Sequence, residues 1–511
     1  MKKTEQFCQE ILAKIGTKSP KAFTNTVLSL SSYESGGSVT ELSESPLFHH
    51  QYSSLRDGIA GIGEDESSQS AAMLRVRELG LNQLSLSGRN RVLLQTDASS
   101  VLKAHSSCLA DRQYVKINNN VIRKNQPISV GYPISLVNIS PGVGKWSIPL
   151  DIRRIPSVQS ATQCAVEQIG ELLQTPPLSE LLVINTLDSG YGNATYMSEV
   201  YEHENLVNLV RFRHGKKVWL PAQDACQLSQ DSQEGAKKKQ GAPSVYGQQF
   251  YLIEQSDIKT YKRKGITYEV ARSSIFGNLA QEHIELEGTT SKGRELSIQV
   301  WRWNDLLIRT KDGHDMKDKP FDLIASQVRD KNTGDLVFNK TMFTAIHGQK
   351  KAQISTKEAF EGYRKRYDIE PAIKFAKQKL LLDKYQTPKQ QHFDNWLVVV
   401  VMAFWVLFTA KDEVNYTPKK WRTYKEKHIA ANSQPTAKQE QEQTVCLTPS
   451  QVRQAAQDFF LTFESTPFLP KTTNKGKGRE KSTKITPRAR YPVVKKVTNK
   501  TKKKRKIEKR E

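Results

Sequence analysis

The chain has 511 residues, of which 37% are hydrophobic and 25% charged, and its formal net charge is +24. That length allows roughly two to four domains with packed cores, and the hydrophobic share excludes a wholly disordered polyelectrolyte. The positive balance points to a polyanionic partner.

Residues 1–85 read as a small helical module followed by a loose Ser- and Gly-rich linker around SLSSYESGGSVTELSES. MKKTEQFCQEILAKIG has no long apolar core, so a signal peptide is not expected. From Arg91 the pattern changes to short apolar runs. RVLLQTD reads as a buried strand ending in Asp97, and YVKINNN and ISVGYPISLVNIS read as two more strands. VQSATQCAVEQIGELLQ is spaced as a helix, and ELLVINTLD is a strand ending in Asp188. NATYMSEVYEHE (helix) and NLVNLVRFR (strand) follow. This order predicts a mixed sheet with helices on its faces. If the strands of Asp97 and Asp188 are neighbours, both carboxylates emerge at one sheet edge. Asp111, in ADRQYVK, competes for a metal role, but its place before a strand suits a turn.

Residues 214–340 alternate and are rich in aromatics, which predicts a β-rich insertion. Its VWRWND run places Trp301 and Trp303 on one strand face and Arg302 on the other. Residues 341–415 return to helix. Ser355–Glu358 forms a capping-box pattern that opens a long helix. On it Tyr363, Arg366, Glu370 and Lys377 are spaced Y-x2-R-x3-E-x6-K. At about 100° per residue the four share one narrow face. A carboxylate can hold a divalent cation and the cations can hold phosphate. Pro371 follows Glu370 and predicts a kink that moves Lys377 off that face.

Trp396–Ala410 is almost entirely apolar, but at 15 residues it is shorter than the ~20 that span a bilayer. It reads as a buried helix opened by Asp394 and Asn395. Residues 416–470 hold a polar loop and a helix that Thr448 would cap. Residues 471–511 carry 18 basic and 3 acidic residues, a net of +15, and are expected to stay disordered until bound, as a salt-sensitive DNA tether. The five cysteines are scattered, with no C-x-x-C or H-E-x-x-H pattern, so reduced thiols and a cytoplasmic setting are expected, without zinc or disulfides. His214 and His347 sit in no partner pattern.

Asp97 in QTDASSVLKAHS, Asp188 in TLDSGYGN and Glu370 in the YREK stripe resemble the acid triad of DDE transposases. The stripe resembles that of the bacterial insertion-sequence type related to the Tn-five enzyme, and the likeness runs through FDNWLVVVVMAFWVLF and RARYPVVKK, roughly Gly88 to Lys496. The resemblance implies an α/β, ribonuclease-H-like mixed sheet with flanking helices (86–213 and 341–415), interrupted by the β-rich insertion, with a helical N-terminal module and a disordered basic C-terminal tail. It implies DNA cleavage at transposon ends and strand transfer into target DNA. Asp97, Asp188 and Glu370 would hold two Mg²⁺ or Mn²⁺ ions. Such ions, about 4 Å apart, activate water and relieve charge on the leaving oxygen. Tyr363, Arg366 and Lys377 would hold end phosphates, and Trp301 or Trp303 would stack on a flipped base. The implied partners are terminal inverted repeats and target DNA, bound by a dimer in a bacterial, nucleoid-associated setting, with no membrane. Two alternatives stay open: a transposase-derived DNA-binding protein that no longer cuts, and a structure-selective nuclease on the same fold.

Overall fold

The computed structural model describes residues 2–15, 17, 19–32, 37–62, 69–116, 128–222, 245–263, 266–290, 293–309, 316–418, 446–463 and 487–495. In chain order come α1 (Lys3–Lys14), α2 (Pro20–Ser32), α3 (Tyr52–Ala60), α4 (Gln69–Leu81), β1 (Arg91–Leu102), β2 (Gln113–Lys116), β3 (Ile128–Ser140) and β4 (Ile148–Arg154). Then follow α5 (Ala161–Leu173), β5 (Leu182–Leu187), α6 (Ala194–Val200), β6 (Leu206–Phe212), β7 (Lys217–Pro221), β8 (Tyr246–Tyr251), β9 (Asp257–Arg263) and β10 (Ile266–Arg272). The rest are β11 (Glu282–Thr289), β12 (Glu295–Leu306), β13 (Phe321–Asp330), β14 (Met342–His347), α7 (Thr356–Lys365), α8 (Ile369–Gln378), α9 (Gln390–Ala410) and α10 (Pro449–Leu461). The chain packs as two units, one of residues Met1–Leu86, Ala98–Ala161 and Asp368–Glu511, the other of Ser87–Asp97 and Thr162–Tyr367.

The first unit is built around α9. This 21-residue helix is long and apolar enough to cross a bilayer, but 94% of its most apolar window is buried. It packs against α1, α2, α3, α4, α10 and β4. Trp396 and Trp405 are fully enclosed. Each buried side chain of that size class contributes about 1.5–3 kcal/mol. The helix starts at Gln390, so Asp394 and Asn395 lie inside it rather than ahead of it. They keep their places because both are bonded: Asp394 pairs with Arg154 at 3.2 Å, and the Asn395 amide donates to Ile59 O and Ile62 O. α4 approaches closely enough that a Cβ on Gly80 would stand 2.3 Å from the Trp405 ring. In the same unit β3 pairs antiparallel with β2 and β4. β4 is an element the sequence reading did not anticipate. Thr448 caps α10 through a capping box with Gln451, as its spacing predicts.

The C-terminal segment departs from expectation. Residues 471–486 and 496–511 lie outside the described residues, but 487–495 are ordered against β2. Val494 bridges Gln113 and donates to Arg112 O at 2.7 Å, while Tyr491 donates to Ser107 O at 2.9 Å. High charge alone predicts disorder here. Those backbone bonds, available at a strand edge, override it.

The second unit holds a large mixed sheet in the order β11-β12-β13-β14-β6-β5-β1. β1, β5 and β6 run parallel. β14, β13, β12 and β11 extend the sheet antiparallel from β6. Within 214–340 the described residues form β7–β13, and β11–β13 belong to the same sheet as β5 and β6. α7 packs on one face over β5, β6, β12 and β13, with Phe360 and Tyr363 in a core shared with Leu209, Val300 and Ile346. This mixed sheet with flanking helices is consistent with a ribonuclease-H-like α/β fold.

His347, at the end of β14, is fully enclosed beside Tyr201. Burial, and then the fields of Lys319 and Lys351, lower its imidazole to about 3. Its folded value is below the unfolded one, so protonation favours unfolding. The stabilisation is complete above about pH 6.5 and is lost as pH falls toward 3, with a limiting slope of about 1.4 kcal/mol per pH unit. Urea midpoints measured at pH 7 and pH 5 should fall less in His347→Phe than in the native chain; equal falls would remove His347 from the acid response.

Candidate active site

β1 and β5 are paired in parallel, in register, from Arg91↔Leu182 to Thr96↔Leu187. Asp97 and Asp188 are the next residue on each strand, so the pairing carries both carboxylates to the same sheet edge. β1 itself continues to Leu102, so Asp97 does not end the strand; only the pairing with β5 stops there. Side chains brace this edge. Thr96 Oγ1 donates to Asn185 Oδ1 at 2.9 Å, Asn185 donates to Tyr196 Oη at 3.0 Å, and Thr186 Oγ1 donates to Leu94 O at 3.0 Å. Burial comes first, and then Asp97 and Asp188, in holding the Tyr191 phenol well above its usual range. Both acids therefore act on one buried hydroxyl.

The loop after Asp188 is tight. Gly190 N donates to Asp188 Oδ1 at 2.7 Å, and a Cβ on Gly190 would stand 2.9 Å from that oxygen. Asn193 caps α6 by accepting from Tyr196 N, and its amide donates to Gly190 O. Lys216, largely buried, donates to Gly192 O at 2.7 Å. Tyr191, Gly190, Gly192 and Lys216 were not singled out from the sequence. The compact D-S-G-Y-G-N run after a strand was the available signal.

The stripe is not one helix. α7 ends at Lys365, Arg366–Asp368 is a 3-10 turn, and α8 begins at Ile369. Pro371 explains the break. It has no N–H to bond the carbonyl of Tyr367, and as the third residue of α8 it sits where that donor is not needed. The shared-face expectation is thereby corrected. Ser355 does form the predicted capping box with Glu358.

Each stripe residue has its own place. Tyr363 is wholly buried in the core, and burial raises its phenol. Arg366, 5% exposed, places its guanidinium 3.5 Å from Asp97 Oδ2 and 4.9 Å from the ring of Tyr367. Gln95 donates to Lys365 O, which fastens the end of α7 beside Asp97. Tyr367, 43% exposed, is the aromatic residue left at the surface and was missed. Glu370 lies exposed in the first turn of α8, in the first unit. Lys377 donates to Ser99 Oγ and Ser100 O, both at 2.8 Å, on the part of β1 just past Asp97. Burial lowers its pKa. Among the described residues no three of His, Cys, Asp and Glu gather into a cation-holding group.

The remaining expectations separate cleanly. Asp111 has a φ of 56° and accepts from Arg154 at 2.9 Å and from Ser157 N, which makes it a turn residue. His214 is paired with Glu254 at 2.8 Å. Trp301 and Trp303 share a face, both edge-on to Phe276. Trp303 is 1% exposed and its Nε1 donates to Asn278 O, so it is a core residue. Trp301 is half-buried and stacked on His283 at 5.0 Å. Arg302, opposite them, is buried on Asp322 at 2.5 Å. The four described cysteines are free thiols; Cys226 lies outside the described residues.

A protein-family model described as DDE superfamily endonuclease matches residues 29–270. That span is just under half of the chain; it includes Asp97 and Asp188 and stops before the stripe. The match supports a DDE-type, nucleic-acid-cleaving enzyme, a class that acts on DNA with divalent metal ions. No curated protein matches the chain.

Proposed function

We propose that this protein is a DNA transposase of the DDE type, which cuts DNA at the ends of a mobile element and joins the freed 3′ ends to target DNA. The observation that carries the reading is the β1–β5 register, which sets Asp97 beside Asp188 within the span of the family match. Glu370 is assigned as the third acid from its place in the chain, four residues after the arginine that touches Asp97. The donor set is all carboxylate oxygen, which suits Mg²⁺ or Mn²⁺. The guanidinium against Asp97 indicates that this carboxylate accepts a cation from that side. Two bound ions would supply Lewis-acid stabilisation and an activated water.

The chain's own groups do the positioning. Asp188 is oriented by Gly190 N, and the Asp188 loop is held from below by Lys216. Arg366 is assigned to exchange its contact with Asp97 for an end phosphate once the acids are neutralised. Lys377, held beside β1, is assigned to a neighbouring phosphate. Tyr363 is assigned to fix the α7 end rather than to touch DNA, and Tyr367 takes the exposed place. Trp301 remains the candidate for stacking on a base. Quenching of tryptophan fluorescence by end DNA should disappear in Trp301→Phe and survive in Trp303→Phe; survival in both variants would leave Trp301 structural. Two inverted-repeat ends, bound by a dimer, complete the proposed assembly.

The test is a strand-transfer assay with purified protein, Mg²⁺, linear DNA carrying the flanking repeats, and a supercoiled target. Joined products flanked by short direct duplications are expected. Cleavage of branched DNA without preference for the repeats would make the protein a structure-selective nuclease. The non-cleaving alternative predicts repeat-specific binding with no cut strand.

A further inference from the structure

We infer that the first unit carries a second anion-binding surface, with no residue in common with the acid edge, which takes the sugar-phosphate backbone of duplex DNA and of which the C-terminal segment is a fixed part. The inference rests on the proposed reading insofar as that reading supplies the DNA. A cleft of about 430 Å³ is walled by α3, by the turn between α8 and α9, and by residue 488 of the C-terminal segment. Its cations are Arg56, Lys384, Lys389 and Arg488, and its acid is Asp57. Asp57 is already matched by Arg56 at 3.4 Å. Lys384, Lys389 and Arg488 are exposed and take part in no ion pair among the described residues. Three unmatched cations around one concavity call for an anionic ligand.

The cleft is built rather than incidental. Lys103, 2% exposed, donates to Tyr385 O at 2.6 Å and Asp383 O at 3.1 Å, which ties down the turn carrying Lys384. Tyr385 stacks on Trp396 of α9 with centroids 5.1 Å apart. On the other wall, Arg112 is 5% exposed and donates to Tyr491 O at 3.0 Å as well as to Leu109 O and Lys103 O. With the Val494 N–H on Arg112 O, this clamp fixes the segment that presents Arg488. A segment pinned in this way is not a free tether. It holds Arg488 at a set position on the cleft wall.

Counterion release makes the claim measurable. Each phosphate contact adds about 0.9 to the slope of log affinity against log salt. Binding of the full-length protein to a labelled 30-base-pair duplex should be followed by anisotropy across a KCl series. The Lys384→Gln, Lys389→Gln, Arg488→Gln triple variant should lose about two to three units of slope, with an unchanged melting temperature. Val494→Pro removes the N–H on Arg112 O and should lose about one unit, matching Arg488→Gln alone. An unaltered slope in the triple variant overturns the cleft, and an unaltered slope in Val494→Pro overturns the fixed tail. Inorganic phosphate is the second arm. If it displaces no DNA at matched ionic strength, the ligand is the polymer backbone; if it saturates the cleft while the triple variant keeps its duplex slope, the site is one for free phosphate and the inference fails. Retained cleavage of end DNA in Asp97→Ala would defeat the proposed function and not this surface.

Discussion

Replacing Asp97 or Asp188 with Ala should lower cleavage of end DNA by about a thousandfold or more while leaving binding to the same DNA within about twofold. Charge stabilisation at a metal-dependent phosphoryl centre is worth several kcal/mol, and each 1.4 kcal/mol is about tenfold in rate. Binding is carried by contacts to many phosphates, so loss of one acid barely alters it. The two variants should be alike because the strand register makes the acids equivalent in position. Glu370→Ala tests the third assignment and should fall as far. Single-turnover cleavage in Mg²⁺, with gel-shift binding on the same samples, reads both quantities. Native rates in Asp97→Ala or Asp188→Ala would sink the enzyme; a native rate in Glu370→Ala alone would move the third acid elsewhere. Gly190→Ala is a milder probe. Its added methyl meets the Asp188 carboxylate, so it should lower the rate without abolishing it.

Arg77→Met should destabilise the first unit by roughly 3 kcal/mol, toward the low end of the 3–5 kcal/mol for breaking a buried pair. Arg77 of α4 donates to Asp151 Oδ2 of β4 at 3.0 Å, and the two side chains are 2% and 0% exposed. Removing the arginine leaves an enclosed carboxylate that cannot reach water. Arg153 also reaches Asp151, at 2.7 Å, which keeps the cost below the upper figure. Removing both charges should recover much of the loss, because the desolvation penalty goes with them. Urea midpoints for Arg77→Met and for Arg77→Met with Asp151→Leu make the comparison. A double variant as unstable as the single one would show that packing around β4, rather than the stranded charge, sets the cost.

Much of the architecture was legible in local pattern. Apolar runs with acids after them marked β1 and β5, and the Ser355 and Thr448 caps marked two helix starts. The interrupted stripe shows where pattern reading stops. Pro371 announced a break, but its position depends on which carbonyl loses a donor, and that lies at Tyr367, upstream of the proline. The burial of Tyr363 was likewise out of reach, since spacing assigns a face but not what covers it. Tail order failed for the converse reason: composition describes what a segment does alone, whereas 487–495 has a strand edge and Arg112 to bond.

The amino-acid sequence by itself determined the basic character of the chain, most of the order of strands and helices, and the two aspartates that close apolar runs. Those properties follow from periodicity and charge, which are local. Only the tertiary structure decided that Asp97 and Asp188 stand side by side, that Arg366 lies on Asp97, and that Arg112 pins the C-terminal segment. Each of these depends on strand register and on contacts between residues tens to hundreds of positions apart, which no local periodicity specifies.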